Sequence, residues 1–286
     1  MAAACERGGV NCGKPALSAL VVARNEEHQL ALCLDTLAFA DEIVVVLDRC
    51  RDRSRDIAER YAARIVEGAW ECEGPRRHAG IAACRGRWIL EVDADERVPP
   101  ELAAEIRSLI ASSAADWHLV PIDNYVGGRL VRWGWGASFG RSAHAALYRK
   151  GAKSWGGERV HPAVRLAGRQ GATLQARLVH HAGRDISDLL RRLDRYTSAR
   201  AQDLRAGGEA GSFGRNLRRI PSRFLKCYIG RRGYREGLWG FLIALLAALY
   251  PILSYLKARL EPTPSGPERL PDPSPPAAER RGWPAS

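Results

Sequence analysis

The first hundred residues alternate short, mostly apolar runs with stretches whose apolar positions recur three or four apart. Leu17-Ser18-Ala19-Leu20-Val21-Val22-Ala23 is the first run, followed by Arg24-Asn25-Glu26-Glu27 and a helical stretch carrying Leu30, Leu34 and Leu37. The β-branched run Ile43-Val44-Val45-Val46-Leu47 stops at Asp48, and a charged loop, 49–54, comes next. A helix with Ile57, Ala58 and Tyr61, a short strand Arg64-Ile65-Val66 and a helix over 75–84 lead to Trp88-Ile89-Leu90-Glu91-Val92. That run ends on Asp93-Ala94-Asp95. Short apolar strands alternating with amphipathic helices predict βαβ units and a parallel sheet. Continuous rather than alternating apolarity predicts strands covered on both faces. The predicted class is α/β: a Rossmann-like, mostly parallel central sheet with helices on both faces.

Glu26, Asp48, Asp93 and Asp95 all follow strands in this scheme, so they gather on one edge of the sheet. In open α/β sheets the carboxyl ends of the strands are where ligands bind. A lone D-x-D is also compatible with a solvated acidic turn. Two carboxylates spaced i, i+2 at a strand end can share one hard cation, typically magnesium or manganese, which takes phosphate oxygens as further ligands. Neither G-x-G-x-x-G nor G-x-x-x-x-G-K-[ST] follows the first strand, which argues against a dinucleotide dehydrogenase and a P-loop NTPase. A nucleotide site built from acids works differently. Asp48 can accept hydrogen bonds from a base or ribose, and the Asp93/Asp95 pair can hold a metal against a diphosphate.

Three segments carry a resemblance: 22–27, then 40–54 from Ala40-Asp41-Glu42 through Asp52-Arg53-Ser54, then 86–96 around Asp93-Ala94-Asp95-Glu96. In this order and spacing they resemble the nucleotide-sugar motifs of glycosyltransferase family 2, closest to the lipopolysaccharide core β-1,4-glucosyltransferase group. The resemblance covers roughly residues 17–260. It implies a GT-A fold, an inverting mechanism, a nucleoside-diphosphate sugar donor (a UDP-sugar favoured) and a divalent metal, Mg2+ or Mn2+. It further implies that Glu26 and Asp48 contact the nucleoside, Asp93 the ribose or metal, and Asp95 the metal. The chain departs from the family pattern in the arginines Arg49, Arg51 and Arg53 of the second motif, either phosphate-holding or solvated. It departs again at Val160-His161-Pro162, where related sequences often carry a His-Glu pair.

An inverting transferase needs a general base within reach of the acceptor hydroxyl. Glu158 and His161 are the candidates, and the residues do not choose between them. Arg76 and Arg77 open the helix before the third motif, and Arg77 is the expected contact to the donor phosphates. His180-His181 follow the strand-like stretch 174–179, as a third metal ligand or as a packing or acceptor-site element. Tyr125, Trp133 and Trp135 among glycines suit sugar stacking as well as they suit core and turns. Arg141, Arg149 and Lys150 stand nearby, facing an anionic acceptor or solvent.

At 286 residues the chain has room for one α/β domain with an extension. Seven cysteines without C-x-x-C spacing fit reduced thiols rather than a disulfide framework or zinc site. Residues 1–15 carry no apolar core, which reads as a disordered start without a signal peptide. The net charge of +12 is concentrated late in the chain. Residues 185–205 read as an amphipathic helix, and 215–235 interleave eight basic residues with apolar ones. Residues 237–256 then hold no charge at all, enough to cross ~30 Å of hydrocarbon as a helix. The basic approach marks the cytoplasmic side.

Pro251, Lys257 and Arg259 favour interfacial helices over a single span, with a buried core helix as the third reading. Residues 262–286 include eight prolines and read as a disordered tail. The expected organisation is thus 1–15 disordered, 16–183 catalytic, 184–261 a helical membrane-associating extension, and 262–286 disordered. No nucleic-acid motif accompanies the basic run. The resulting expectation is an inverting, metal-dependent glycosyltransferase at the cytoplasmic face of a bacterial inner membrane, peripheral or monotopic, acting on a glycolipid or its saccharide core. A polyprenyl-phosphate glycosyltransferase and a catalytically silent glycan- or partner-binding module of the same fold are the alternatives.

Overall fold

The computed structural model describes residues 16–136, 139–157, 163–207 and 211–262. Strands β1 (Leu17–Ala23), β2 (Glu42–Asp48), β3 (Arg64–Gly68) and β4 (Trp88–Asp93) alternate with helices α1 (Glu27–Asp35), α2 (Ser54–Arg60) and α3 (Glu73–Ala83). After β4 come the two-residue strand β5 (Glu96–Arg97), helix α4 (Pro100–Ser112), the long strand β6 (Trp117–Val126) and its hairpin partner β7 (Arg129–Val131). Strands β8 (Ala143–Arg149), β9 (Lys153–Trp155), β10 (Val164–Leu166) and β11 (Leu178–Gly183) complete the β structure. Helices α5 (Ile186–Ala206), α6 (Phe213–Leu225) and α7 (Leu238–Leu260) follow, with a π turn over Lys226–Gly230 and a 3-10 turn over Gly233–Glu236 between the last two.

The main sheet has the order β3-β2-β1-β4-β8-β6-β11-β5, with β7 paired to β6. The first four strands are parallel, as the alternating pattern predicts. Strand β1 is buried along its whole length, and its residues divide by parity. Leu17, Ala19, Val21 and Ala23 enter a core with α1, α2 and α4, whereas Leu20 and Val22 meet Ile81 and Cys84 from α3 and its end. Coverage of both faces explains the absence of polar alternation.

The antiparallel insertion β6–β10 was not visible in the sequence pattern. Its hairpin turns on Gly127 and Gly128, both at positive φ, a region closed to most other residues. The strand expected over 174–179 is in fact β11, so His180 and His181 lie inside a strand rather than after one. The helix expected over 185–205 is α5, with Asp185 as its N-cap, accepting the Asp188 N–H at 2.7 Å.

The C-terminal helices do not stand apart from the sheet. Val126 of β6, Val131 of β7 and Ala182 of β11 share a second core with Leu189 and Leu193 of α5 and Ile243, Leu246, Ala247 and Tyr250 of α7. Helix α7 is long and apolar enough to cross a bilayer, yet 56% of its most apolar stretch is buried inside the protein. Packing therefore accounts for much of that apolarity. Gly240 lets the 3-10 turn lie directly on α7: a Cβ there would fall 1.8 Å from the Gly233 carbonyl oxygen.

Candidate active site

The carboxyl ends of β1, β2 and β4 deliver the anticipated acids to one edge. Asp93 ends β4 and is bracketed by two guanidinium groups. Arg77 Nη2 donates to Oδ1 at 2.9 Å and Arg141 Nη2 to Oδ2 at 3.0 Å. The Asp93 N–H donates to Glu96 Oε2 at 2.9 Å, which fixes the turn leading to Asp95. Burial pushes the Asp93 carboxyl up, but Arg77 and Arg141 outweigh it and hold the group well below the usual carboxylate range.

Arg77 itself is only 6% exposed. Its Nε donates to Glu73 at 2.7 Å and its Nη1 to the fully buried Glu91 at 2.6 Å, while its plane lies over Trp155. Glu91 also accepts from the Tyr148 hydroxyl at 2.8 Å and Lys153 Nζ at 3.1 Å. A buried carboxylate is tolerable where every lone pair finds a donor. The group that Arg77 touches at the sheet edge is therefore Asp93, and its expected contact to donor phosphates acquires a different geometry: it reaches the site through a carboxylate.

Asp95 lies two residues on, beside His180 on β11, with Oδ2 at 3.4 Å from Nε2. The Asn124 amide donates to the Arg141 carbonyl at 3.0 Å, which turns its oxygen toward His180 Nδ1 at 2.6 Å. That bond puts the Nδ1 proton on the side away from Asp95. In a neutral ring the Nε2 lone pair then faces the carboxylate, and two acceptors so placed call for a proton or a cation between them. Burial raises the Asp95 carboxyl, and the charge and hydrogen bond that His180 contributes when it carries the shared proton more than offset this, leaving it lowered. Among the described residues no three His, Cys, Asp or Glu side chains converge into a ready metal cage. A carboxylate with one imidazole, open toward the edge, nevertheless suits a cation that takes its remaining ligands from water and phosphate.

At the carboxyl end of β2, Asp48 is 2% exposed and fully engaged. Its Oδ1 accepts from Arg49 Nε at 3.0 Å and the Trp70 N–H at 3.1 Å, and its Oδ2 from Arg76 Nη1 at 3.2 Å. Glu26 sits where β1 turns into α1, with its N–H on Ser54 Oγ at 3.1 Å. Burial, together with the nearby charge of Asp95, pushes its carboxyl up to about 7.

Two of the three arginines of the loop pair with neighbouring acids. Arg49 pairs with Asp48, Arg53 reaches Glu27 at 3.2 Å, and Arg51 is exposed. Trp135, expected as a stacking ring, is 1% exposed and donates its indole N–H to the Val131 carbonyl, so it is a core residue. Trp133 carries Arg232 and Arg235 over its ring. Both general-base candidates, Glu158 and His161, lie outside the described residues, as do 1–15 and 263–286.

Arg192 and Tyr196 of α5 also face this edge and were not singled out from the sequence. Arg192 donates to the Ala182 carbonyl at 2.9 Å and to the Tyr196 hydroxyl at 3.3 Å, and its charge helps lower the Asp95 carboxyl. The sequence placed Tyr196 on the apolar face of this amphipathic helix, where it does pack against the second core, and gave no signal for Arg192 beyond its place among the arginines of the other faces. His144 on β8 was missed too. Burial, with Arg141 and Lys153 nearby, holds its ring far below the usual histidine range, and neither ring nitrogen has a hydrogen-bond partner among the described residues.

Residues 18–154, from β1 through β9, match the family model for glycosyl transferase family 2. The chain carries a glycosyltransferase family 2 domain. Its sheet order and acidic edge are those of a GT-A fold, and the family 2 domain spans all four acids described above. LpsC of Rhizobium meliloti, a lipopolysaccharide core biosynthesis glycosyltransferase, is 24% identical over 254 residues, covering 84% of this chain and 91% of LpsC. An uncharacterized glycosyltransferase of Rickettsia felis is 26% identical over 260 residues, covering 85% of this chain and 89% of its own length. Among solved structures, TarS 1–349 of S. aureus in complex with UDP is 15% identical, covering 84% of this chain and 90% of that one, with a TM-score of 0.45. Glucosyl-3-phosphoglycerate synthase of Mycobacterium tuberculosis, in complex with Mn2+, UDP and glucosyl-3-phosphoglycerate, is 20% identical, covering 44% of this chain and 51% of that one, with a TM-score of 0.33.

Proposed function

We propose that this glycosyltransferase moves a sugar, with inversion, from a nucleoside-diphosphate sugar to the saccharide of a membrane glycolipid, a lipopolysaccharide core or related cell-surface glycan. The observation that carries this reading is the carboxylate edge itself. Asp93 is locked in its ionised state between Arg77 and Arg141, and Asp95 stands beside it with an imidazole as its neighbour. The relationship to LpsC, over 84% of this chain and 91% of LpsC, supports the saccharide acceptor. A UDP-sugar is the favoured donor.

Asp95 and His180 would hold a magnesium or manganese ion, with Asp93 turned to the ribose or to the ion's inner side. When bound, such an ion offsets the negative charge that collects on the departing diphosphate. The chain's own residues do the rest. Asp48 and Glu26 accept hydrogen bonds from the nucleoside, which at Asp48 requires the part-exposed Arg49 to yield a bond. The acceptor hydroxyl oxygen attacks the anomeric carbon from the face opposite the diphosphate as the bond from that carbon to the phosphate oxygen breaks. Glu158 or His161 takes the hydroxyl proton. The reaction occurs at the cytoplasmic face of the inner membrane, where a lipid-linked acceptor is within reach.

The test is a donor and acceptor screen with purified protein. Nucleoside diphosphate release is measured for a panel of nucleotide sugars, against core saccharide and against polyprenyl phosphate, and the product's anomeric configuration is read by NMR. The proposal expects release with a saccharide acceptor and inverted configuration. Retained configuration, or release with polyprenyl phosphate alone, contradicts it.

A further inference from the structure

The helical layer carries a surface that the transfer chemistry leaves unused. Between Gly211 and Arg235 there are eight basic residues and no acid. Exposed apolar side chains stand among them: Leu225 at 54%, Ile229 at 57% and Leu238 at 87%. Single exposed apolar residues are ordinary on a soluble surface, whereas a contiguous patch marks an interaction site. Exposed rings on the same segments do adjoin: Phe241, 46% exposed, meets Phe224 edge-on at 5.5 Å and Tyr228 at 6.3 Å, and Tyr228 meets Tyr234, 52% exposed, at 6.5 Å.

The patch also stands on the functional side of the molecule. Strand β6 is antiparallel to β8, which is antiparallel to β4, so β6 runs with β4, and β11 runs with β6. Val126 and Ala182, at or near the carboxyl ends of β6 and β11, enter the core shared with α5 and α7. The helical layer is therefore mounted on the same sheet edge as Asp93 and Asp95.

We propose that this surface docks the enzyme on an anionic lipid bilayer, with Leu225, Ile229 and Leu238 entering the headgroup boundary and the flanking arginines on lipid phosphates. The proposal rests on the reading that the acceptor is membrane-borne. Charge commits the occupant: a strip of cations without acids is complementary to an anionic surface. The protruding apolar groups need a phase they can enter, which the phosphate backbone of a nucleic acid does not provide. Helix α7 lies against the bilayer rather than through it, because its inner face is part of the protein's second core.

The test is flotation of the full-length protein with vesicles of phosphatidylcholine alone or mixed with phosphatidylglycerol. The protein is expected to float with the mixed vesicles, to remain in solution with neutral ones, and to be released by alkaline carbonate. The pair Leu225→Asn and Ile229→Asn, and separately the pair Arg218→Glu and Arg219→Glu, are each expected to lower the bound fraction roughly tenfold or more. Both variants should keep their circular dichroism and their lipid-free release of nucleoside diphosphate. Equal binding to both vesicle types, undiminished flotation of either variant, or retention after carbonate would overturn the proposal. So would binding of an anionic oligonucleotide without flotation. Protein that floats as expected but releases no nucleoside diphosphate supports docking and overturns the transfer reading instead; active protein that never floats does the reverse.

Discussion

Arg77 Nη2 lies 2.9 Å from Asp93 Oδ1, so the first acid of the D-x-D pair is aimed by a residue one helix earlier. The same guanidinium is anchored on Glu91 at 2.6 Å and Glu73 at 2.7 Å. Asp93 is thereby oriented from beneath by a buried arginine and from above by Arg141, and its ionisation is a property of that frame rather than of the aspartate alone.

Arg77→Lys keeps the charge but loses the fork that serves three carboxylates. It leaves buried Glu91 short of a donor, and breaking such a pair costs about 3–5 kcal/mol. Thermal unfolding should report that loss, and nucleoside diphosphate release should fall roughly tenfold or more as Asp93 loses its aim. The lowered pKa of Asp93 sets the sign with pH. Its contribution is complete above the unfolded value of about 4 and is lost as pH falls below it, so wild type should lose stability in acid more steeply than Arg77→Met.

Glu26 behaves in the opposite way. With its carboxyl pushed up to about 7, the folded state holds a proton that the unfolded chain releases near pH 4. The associated stability is full below that lower value and disappears as pH rises through about 7. Glu26→Gln should therefore melt a few degrees above wild type near pH 8 and with wild type near pH 4, in scans without nucleotide.

Trp135→Ala separates the core role from sugar stacking. Emptying a fully buried indole site costs about 3–5 kcal/mol, so the variant should unfold at clearly lower temperature or denaturant. A stacking ring would instead raise the acceptor KM with stability unchanged. The expected outcome is the first.

Much of this was legible in the sequence. The βαβ half, from β1 to β4, could be read because its strands are buried on both faces and its helices are spaced by turns, and the four acids fell where the topology put them. The antiparallel half was harder. Strand β6 alternates partners and faces, with Pro121 inside it and buried His118 and Asn124 that look polar in sequence but are satisfied by distant carbonyls and rings. Arg141 and His180 complete the site from that half, across sequence separations of 48 and 85 residues, which no local pattern encodes. Helix α7 reads the same from sequence whether lipid or protein covers it, and only the packing with α5 and β6 separates the cases. The arginines after Asp48 were ambiguous because their partners, Asp48 and Glu27, lie on two different loop ends.

The central claim is that Asp95 holds the metal end of a nucleotide-sugar site. The most direct measurement is nucleoside diphosphate release as a function of manganese concentration, for wild type and Asp95→Asn, with folding verified by thermal melting. Wild type should show metal-dependent release, and Asp95→Asn should lose roughly 100-fold or more in kcat/KM at saturating metal. Wild-type levels of release by Asp95→Asn, with an unchanged dependence on manganese, would contradict it.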